Sequence, residues 1–220
     1  MAGNPVLKLV LAGVLCVTAV GCVNFQANYL APKYGEIAAD GEGTFPSNQS
    51  IVMSPDAPSI SQGFKPAPKE KDPKDTPGNH AGLDMVADVG TPVLAAANGV
   101  VIKSTYGPAY GHQVSILHLP SLDGRQLKTN YYHLKSRNVA EGDQIARGNE
   151  IGTLGRTGTL AAFPHLHFEL RIQGENVWDP LNPHLFWADG IGKVSCFKST
   201  QNYPESPMLI TYPVQCRDPQ

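Results

Sequence analysis

Between His80 and Leu185 the apolar residues come in short runs, and glycine ends almost every one of them. "GTPVLAAANGVVIKSTYG" and "GHQVSILHL" read as strands bounded by turns. Gly142, Gly148, Gly152, Gly155 and Gly158 then divide the following stretch into small apolar pieces. Apolar spacing at i, i+3, i+4 and i+7 never persists long enough to build a helix face. The chain is therefore expected to be all-β, an antiparallel sheet or barrel-sandwich hybrid with short or no helices outside its N-terminus. "SISQGF", Ser59 to Phe64, supplies a first short strand. The glycines do not form a phosphate-binding loop, because no Gly-Lys-Ser/Thr follows them and no helix opens from them.

The N-terminus follows other rules. "MAGNPVLKLVLAGVLCVTAVGC" carries one lysine, Lys8, and then an apolar run from Leu9 to Val20. That run falls short of the roughly 20 residues needed to span a bilayer as a helix and has the length of a signal-peptide core. It ends in "AVGC", which resembles a bacterial lipobox. Residues 1–21 are thus expected to be a lipoprotein signal peptide, with Cys22 the lipid acceptor that anchors the chain to a membrane on the periplasmic side of the envelope. A plain cleaved signal or an uncleaved anchor would export the chain as well. Residues 22–52, polar and without periodicity, read as a flexible tether. Some 30 residues reach roughly 100 Å fully extended and nearer 30 Å as a coil.

Of the four cysteines, Cys16 falls in the signal and Cys22 takes the lipid. Cys196 and Cys216 remain, and in an oxidising compartment a disulfide is the natural pairing; two free thiols are the alternative. Residues 188–220 then form a C-terminal appendage, stapled by that bridge to the edge of the main sheet around a domain of residues 53–187. The stretch Lys65–Asn79, of mixed charge and rich in proline, reads as a solvated loop. A formal charge of −2 leaves no basic footprint for nucleic acid.

"PHLHFEL", Pro164 to Leu170, places two histidines inside a strand pattern. Side chains at i and i+2 leave a strand on the same face, so His165 and His167 point together. In "NHAGLDM", His80 and Asp84 are also an even number of residues apart, and in extended backbone they share a face. Zinc accepts imidazole nitrogen and carboxylate oxygen, and its catalytic sites use three protein ligands plus water. Two histidines and one aspartate meet that count and leave other histidines free to handle protons. Alone, an HxH or an HxxxD is a weak signal. Together and in order, with His133 of "YYHL" between them, they are strong.

"HAGLD", "GTPVLAAANGVV", "YYHL", "EGDQIARGNEIGTLGRTG" and "PHLHFEL…GENVWDPLNP" together resemble the lysostaphin-type zinc endopeptidases, the LytM-domain family, from about Ser59 to Phe186. The resemblance implies one Zn2+ held by His80, Asp84 and His167, with His133 and His165 as catalytic histidines. His118 of "SILHL" matches a structural strand-end histidine, while His112 and His184 match nothing functional. Two loops depart from the family pattern: "TLAAFP" before the HxH, and Lys65–Asn79. The implied activity is hydrolysis of peptide crosslinks in peptidoglycan by metal-activated water, leaning toward a D,D link to diaminopimelate. The alternative is a non-catalytic regulator of cell-wall amidases, which some family members that lost ligands have become; here all five site residues are present. A biotinyl- or lipoyl-type carrier barrel would need an exposed lysine on a tight hairpin, and Glu141–Gly158 has none.

Overall fold

Glycine punctuation becomes hairpin geometry at Gly107 and Gly111, which pair across the turn joining the strands of residues 99–107 and 111–117. Gly111 has a φ of +67°, and a side chain there would collide with Thr157, so the turn demands glycine. The structure is a computed structural model that describes residues 33–38, 43, 45, 50–65 and 79–217. The signal peptide, Cys22, much of the proposed tether and residues 66–78 of the proline-rich loop lie outside the described residues.

Eleven strands are described: β1 (Ile60–Gln62), β2 (Leu83–Met85), β3 (Pro92–Leu94), β4 (Gly99–Gly107), β5 (Gly111–Leu117), β6 (Leu127–Leu134), β7 (Ser136–Arg137), β8 (Gln144–Ile145), β9 (Glu150–Thr153), β10 (Leu166–Gln173) and β11 (Trp178–Leu181). The one helical turn among the described residues is the 3-10 turn Pro183–Leu185. No described helix is long and apolar enough to cross a membrane. All-β was the expectation, and all-β is the result.

The main sheet has eight strands in the order β1-β2-β10-β6-β5-β4-β8, with β11 also pairing to β10, and every pairing is antiparallel. A second sheet runs β3-β9-β7. Residues of both sheets enter one core, with Val93, Leu134, Ile151 and Phe168 all buried in the same cluster. β10 shows how the sequence achieves this. Its alternate residues Leu166, Phe168 and Leu170 are 0% exposed, each stabilising the fold by roughly 1.5–3 kcal/mol relative to exposure. The period-2 pleat sends His167, Glu169 and Arg171 to the opposite face.

The chain ends differ from expectation. The C-terminal segment runs beside β3 of the smaller sheet: Val214 bridges Val93, and the Leu94 amide donates to the Pro213 carbonyl. Met208, Ile210, Tyr212 and Val214 recur every second residue and all are buried in the core. The segment is thus joined to the edge of the smaller sheet, not of the main one, and its side chains enter the domain core. The Cys196–Cys216 disulfide is formed as expected. Nor do the described parts of residues 22–52 hang free. Tyr34 and Ile37 bridge Pro58 and Ile60, and the Val52 amide donates to the Gly192 carbonyl.

Candidate metal centre

β10 lies between β2 and β6, and the register sets His167 opposite Asp84 on one side and Tyr132 on the other. Asp84 and His167, from segments far apart in sequence, thereby become neighbours on one face. His80 sits just before β2 and is fastened by two backbone hydrogen bonds to Lys65. His165 immediately precedes β10. His133, near the end of β6, has a φ of +63°, a left-handed conformation uncommon for a side chain of this size, and its amide donates to the Tyr110 carbonyl.

These placements bring all five sequence-derived site residues together. His80 Nε2 lies 3.1 Å from Asp84 Oδ1 and 3.0 Å from His167 Nδ1, and His167 Nδ1 lies 2.7 Å from Asp84 Oδ1. His165 Nε2 is 3.7 Å from Asp84 Oδ1. The His133 and His165 ring centroids are 4.9 Å apart. The five line a groove of 440 Å³ together with Gln62, Tyr110, Leu160 and Arg171. Tyr110, at the tip of the β4–β5 turn, stacks against His133.

Hydrogen bonds on the far side of each ring fix where the protons are. A ring nitrogen facing a carbonyl must donate, because the carbonyl can only accept. Nδ1–H of His80 donates to Gly63 O at 2.8 Å, that of His165 to Phe163 O at 2.8 Å, and that of His133 to Thr157 O at 2.9 Å. Each of the three therefore turns a bare Nε2 toward the groove when neutral. His167 is reversed: Nε2 faces Glu169 Oε1 at 3.4 Å, leaving Nδ1 for the cluster. Lone pairs of two imidazoles and a carboxylate converging this closely repel one another unless a cation or a proton lies among them. A tetrahedral ion with ligands near 2.1 Å would set them roughly 3.4 Å apart, somewhat wider than the 3.1, 3.0 and 2.7 Å found. The donor set fits zinc.

Charge follows the same logic. Burial alone would raise the Asp84 pKa, but a proton placed on the facing His167 or His80 nitrogen outweighs it through a hydrogen bond and holds the carboxyl far below the carboxylate range. Burial would likewise depress His167, yet the Asp84 and Glu169 carboxylates push it up to about 9, so the Nδ1 side of this ring draws either a second proton or a cation in its place. Burial dominates at His133, pushed down to about 4, and also lowers His165. Both stay neutral at pH 7 and able to accept a proton.

The other histidines stand apart. His118 is buried between the Asn98 carbonyl and the Thr129 hydroxyl. His112 accepts from Arg137, and His184 accepts from the Trp187 indole. Sequence reasoning missed two charged groups at the centre: Glu169, 2% exposed and in contact with His167, and Arg171, which pairs with it and lines the groove. The signal was present, since His165, His167, Glu169 and Arg171 continue the same two-residue step.

Two imidazoles and a carboxylate around one point, with two more unprotonated imidazoles beside it, define a metallopeptidase-type site on an all-β domain. Residues 78–180 match Peptidase family M23. Those residues, a little under half of the chain, carry the resemblance to that family. Peptidoglycan DD-endopeptidase ShyC of Vibrio cholerae is 44% identical over 95 residues, covering 43% of this chain and 21% of that protein. DD-carboxypeptidase/endopeptidase Mpg of Neisseria meningitidis is 39% identical over 104 residues, covering 47% of this chain and 22% of that protein. The match thus spans about a fifth of the length of these curated relatives. The crystal structure of a zinc containing peptidase from Vibrio cholerae aligns with a TM-score of 0.47 at 32% identity, over 56% of this chain and 35% of that one.

Proposed function

We propose that this chain is a zinc-dependent endopeptidase that hydrolyses peptide crosslinks of peptidoglycan, exported and tethered to a membrane through a lipid on Cys22. One observation carries the reading: the ligand atoms of His80, Asp84 and His167 converge on one another, and His133 and His165 turn unprotonated nitrogens into the same groove. In this reading His80 Nε2, Asp84 Oδ1 and His167 Nδ1 hold the metal. A zinc ion there supplies Lewis acidity and lowers the pKa of a bound water toward neutrality.

The chain's own residues do the rest. His133 or His165 accepts, at Nε2, the proton released as water attacks the amide carbonyl. That imidazole thereby becomes an N–H donor, first to the oxygen on which charge develops and then to the departing amine nitrogen. Hydrogen bonds to Thr157 O and Phe163 O hold the two rings with Nε2 forward, so the proton moves without reorienting a side chain. The names of the relatives, DD-endopeptidase and DD-carboxypeptidase/endopeptidase, support a D,D crosslink as the bond cut.

Digestion of purified crosslinked sacculi by the zinc-loaded chain tests this. Release of uncrosslinked muropeptides that a chelator stops and zinc restores is the expected result, and the mass of the products names the bond. Intact sacculi after treatment with zinc-loaded protein would overturn the assignment and favour a regulatory role.

A further inference from the structure

His167 differs from the other three histidines of the centre in what orients it. His80, His133 and His165 each donate to a backbone carbonyl, whereas His167 faces a carboxylate. The sheet explains why. Strand β10 is paired on both sides around residue 167, to β2 and to β6, so the main-chain groups beside this ring belong to the ladders. The acceptor must come from a side chain on the same face, and position i+2 is the nearest one.

Glu169 is built for that place. Its Oε2 accepts from Arg171 Nε at 2.7 Å, Asn130 Nδ2 at 2.7 Å and Tyr132 Oη at 3.3 Å. Its Oε1 accepts from Arg171 Nη2 at 2.9 Å and faces His167 Nε2 at 3.4 Å. An isolated carboxylate would not stay ionised at 2% exposure. The two-pronged Arg171 contact and its companions make it stable there. Arg171 is itself held, with Nη1 donating to the Trp178 carbonyl of β11 at 2.8 Å. A continuous chain of donors and acceptors thus runs from β11 to the metal centre.

We propose that Glu169, clamped by Arg171, is a positioning residue. It keeps the His167 proton on Nε2, so that Nδ1 is presented to the metal, and it makes that ring a stronger ligand. The proposal rests on the zinc-peptidase reading above. Outer-shell partners of this kind are typically worth 10–100-fold in metal affinity.

The test measures zinc affinity by competition with a chromophoric chelator, and the visible spectrum of the Co2+-substituted chain. E169Q keeps an acceptor but loses the charge, and is expected to weaken zinc binding about 10-fold; E169A should reach about 100-fold. Both should shift the cobalt bands, because a His167 free to swap its proton alters the ligand field. E169A leaves the half-buried Arg171 without its carboxylate, so the double variant E169Q/R171M, lacking both charges, serves if E169A does not fold. Its zinc affinity should fall by the same order as that of E169Q, with far-UV circular dichroism unchanged. Wild-type zinc affinity and an unshifted cobalt spectrum in these variants would overturn the positioning role and leave the peptidase reading standing. A wild-type chain that binds no zinc would overturn both.

Discussion

Thr157 holds His133 at two points and its neighbour Leu134 at a third. Its carbonyl accepts from His133 Nδ1 at 2.9 Å, its amide donates to the His133 carbonyl at 3.4 Å, and its hydroxyl donates to the Leu134 carbonyl at 2.6 Å. The same hydroxyl accepts from the His112 amide at 2.9 Å. This loop therefore fastens the left-handed turn in β6 that swings His133 into the groove. Replacing Thr157 by valine keeps the carbonyl contact but strands two backbone groups, which typically costs about 1–3 kcal/mol each when they are buried. T157V should lower the urea midpoint measurably, leave zinc stoichiometry unchanged and reduce turnover. Unaltered stability would show that water replaces the hydroxyl without loss.

Ligand and proton-handling roles separate under substitution. H80A and D84A should lose zinc and activity together. H133A and H165A should retain one zinc per chain while turnover falls by about 10²–10⁴, the usual value of general acid–base help. Metal analysis after dialysis, paired with the sacculus assay, reads both. Loss of zinc in H165A would reverse the roles of the two HxH histidines.

Much of this centre was legible because strand geometry turns sequence spacing into direction. The two-residue step of "HLHFELR" placed His165 and His167 on a common face, and the structure extends that row to Glu169 and Arg171. Pairing was not legible. That Asp84 lies opposite His167 depends on β10 inserting between β2 and β6, a long-range choice of register that no local pattern encodes. The C-terminal segment misled for a related reason. Its alternation at Met208, Ile210, Tyr212 and Val214 was visible, but which sheet it would join depended on β3 offering a free edge.

His118 makes stability depend on pH. Its burial pushes its pKa down to about 4 from the ordinary 6.5, because the charged ring is poorly solvated beside the Asn98 carbonyl and Thr129 hydroxyl. Between those two values the unfolded chain binds the proton and the folded chain does not, so stability falls as pH drops through that window. A displacement of this size corresponds to roughly 3 kcal/mol once pH reaches the lower value. H118Q removes the titration but also disturbs two hydrogen bonds. The variant should be the less stable one at pH 7.5, and the gap to wild type should narrow toward pH 4.5. Parallel urea midpoints across that range would rule out His118 as the source.

The Cys196–Cys216 bridge closes a loop with a sequence separation of 20, and in the chain-entropy model such a closure contributes about 3 kcal/mol by restricting the unfolded state. The bridge lies in a groove with Pro92 and Leu94 of β3, whereas the candidate metal centre is carried by β2, β6, β10 and the segments beside them. Its loss should therefore act on stability and not on chemistry. C196S/C216S should unfold at lower urea concentration by an amount matching that estimate, while zinc content and turnover, measured well below the unfolding transition, stay at wild-type values. Turnover lost at full zinc occupancy, with circular dichroism unchanged, would mean that the C-terminal segment shapes the groove through the shared core, and the separation of roles argued here would fail.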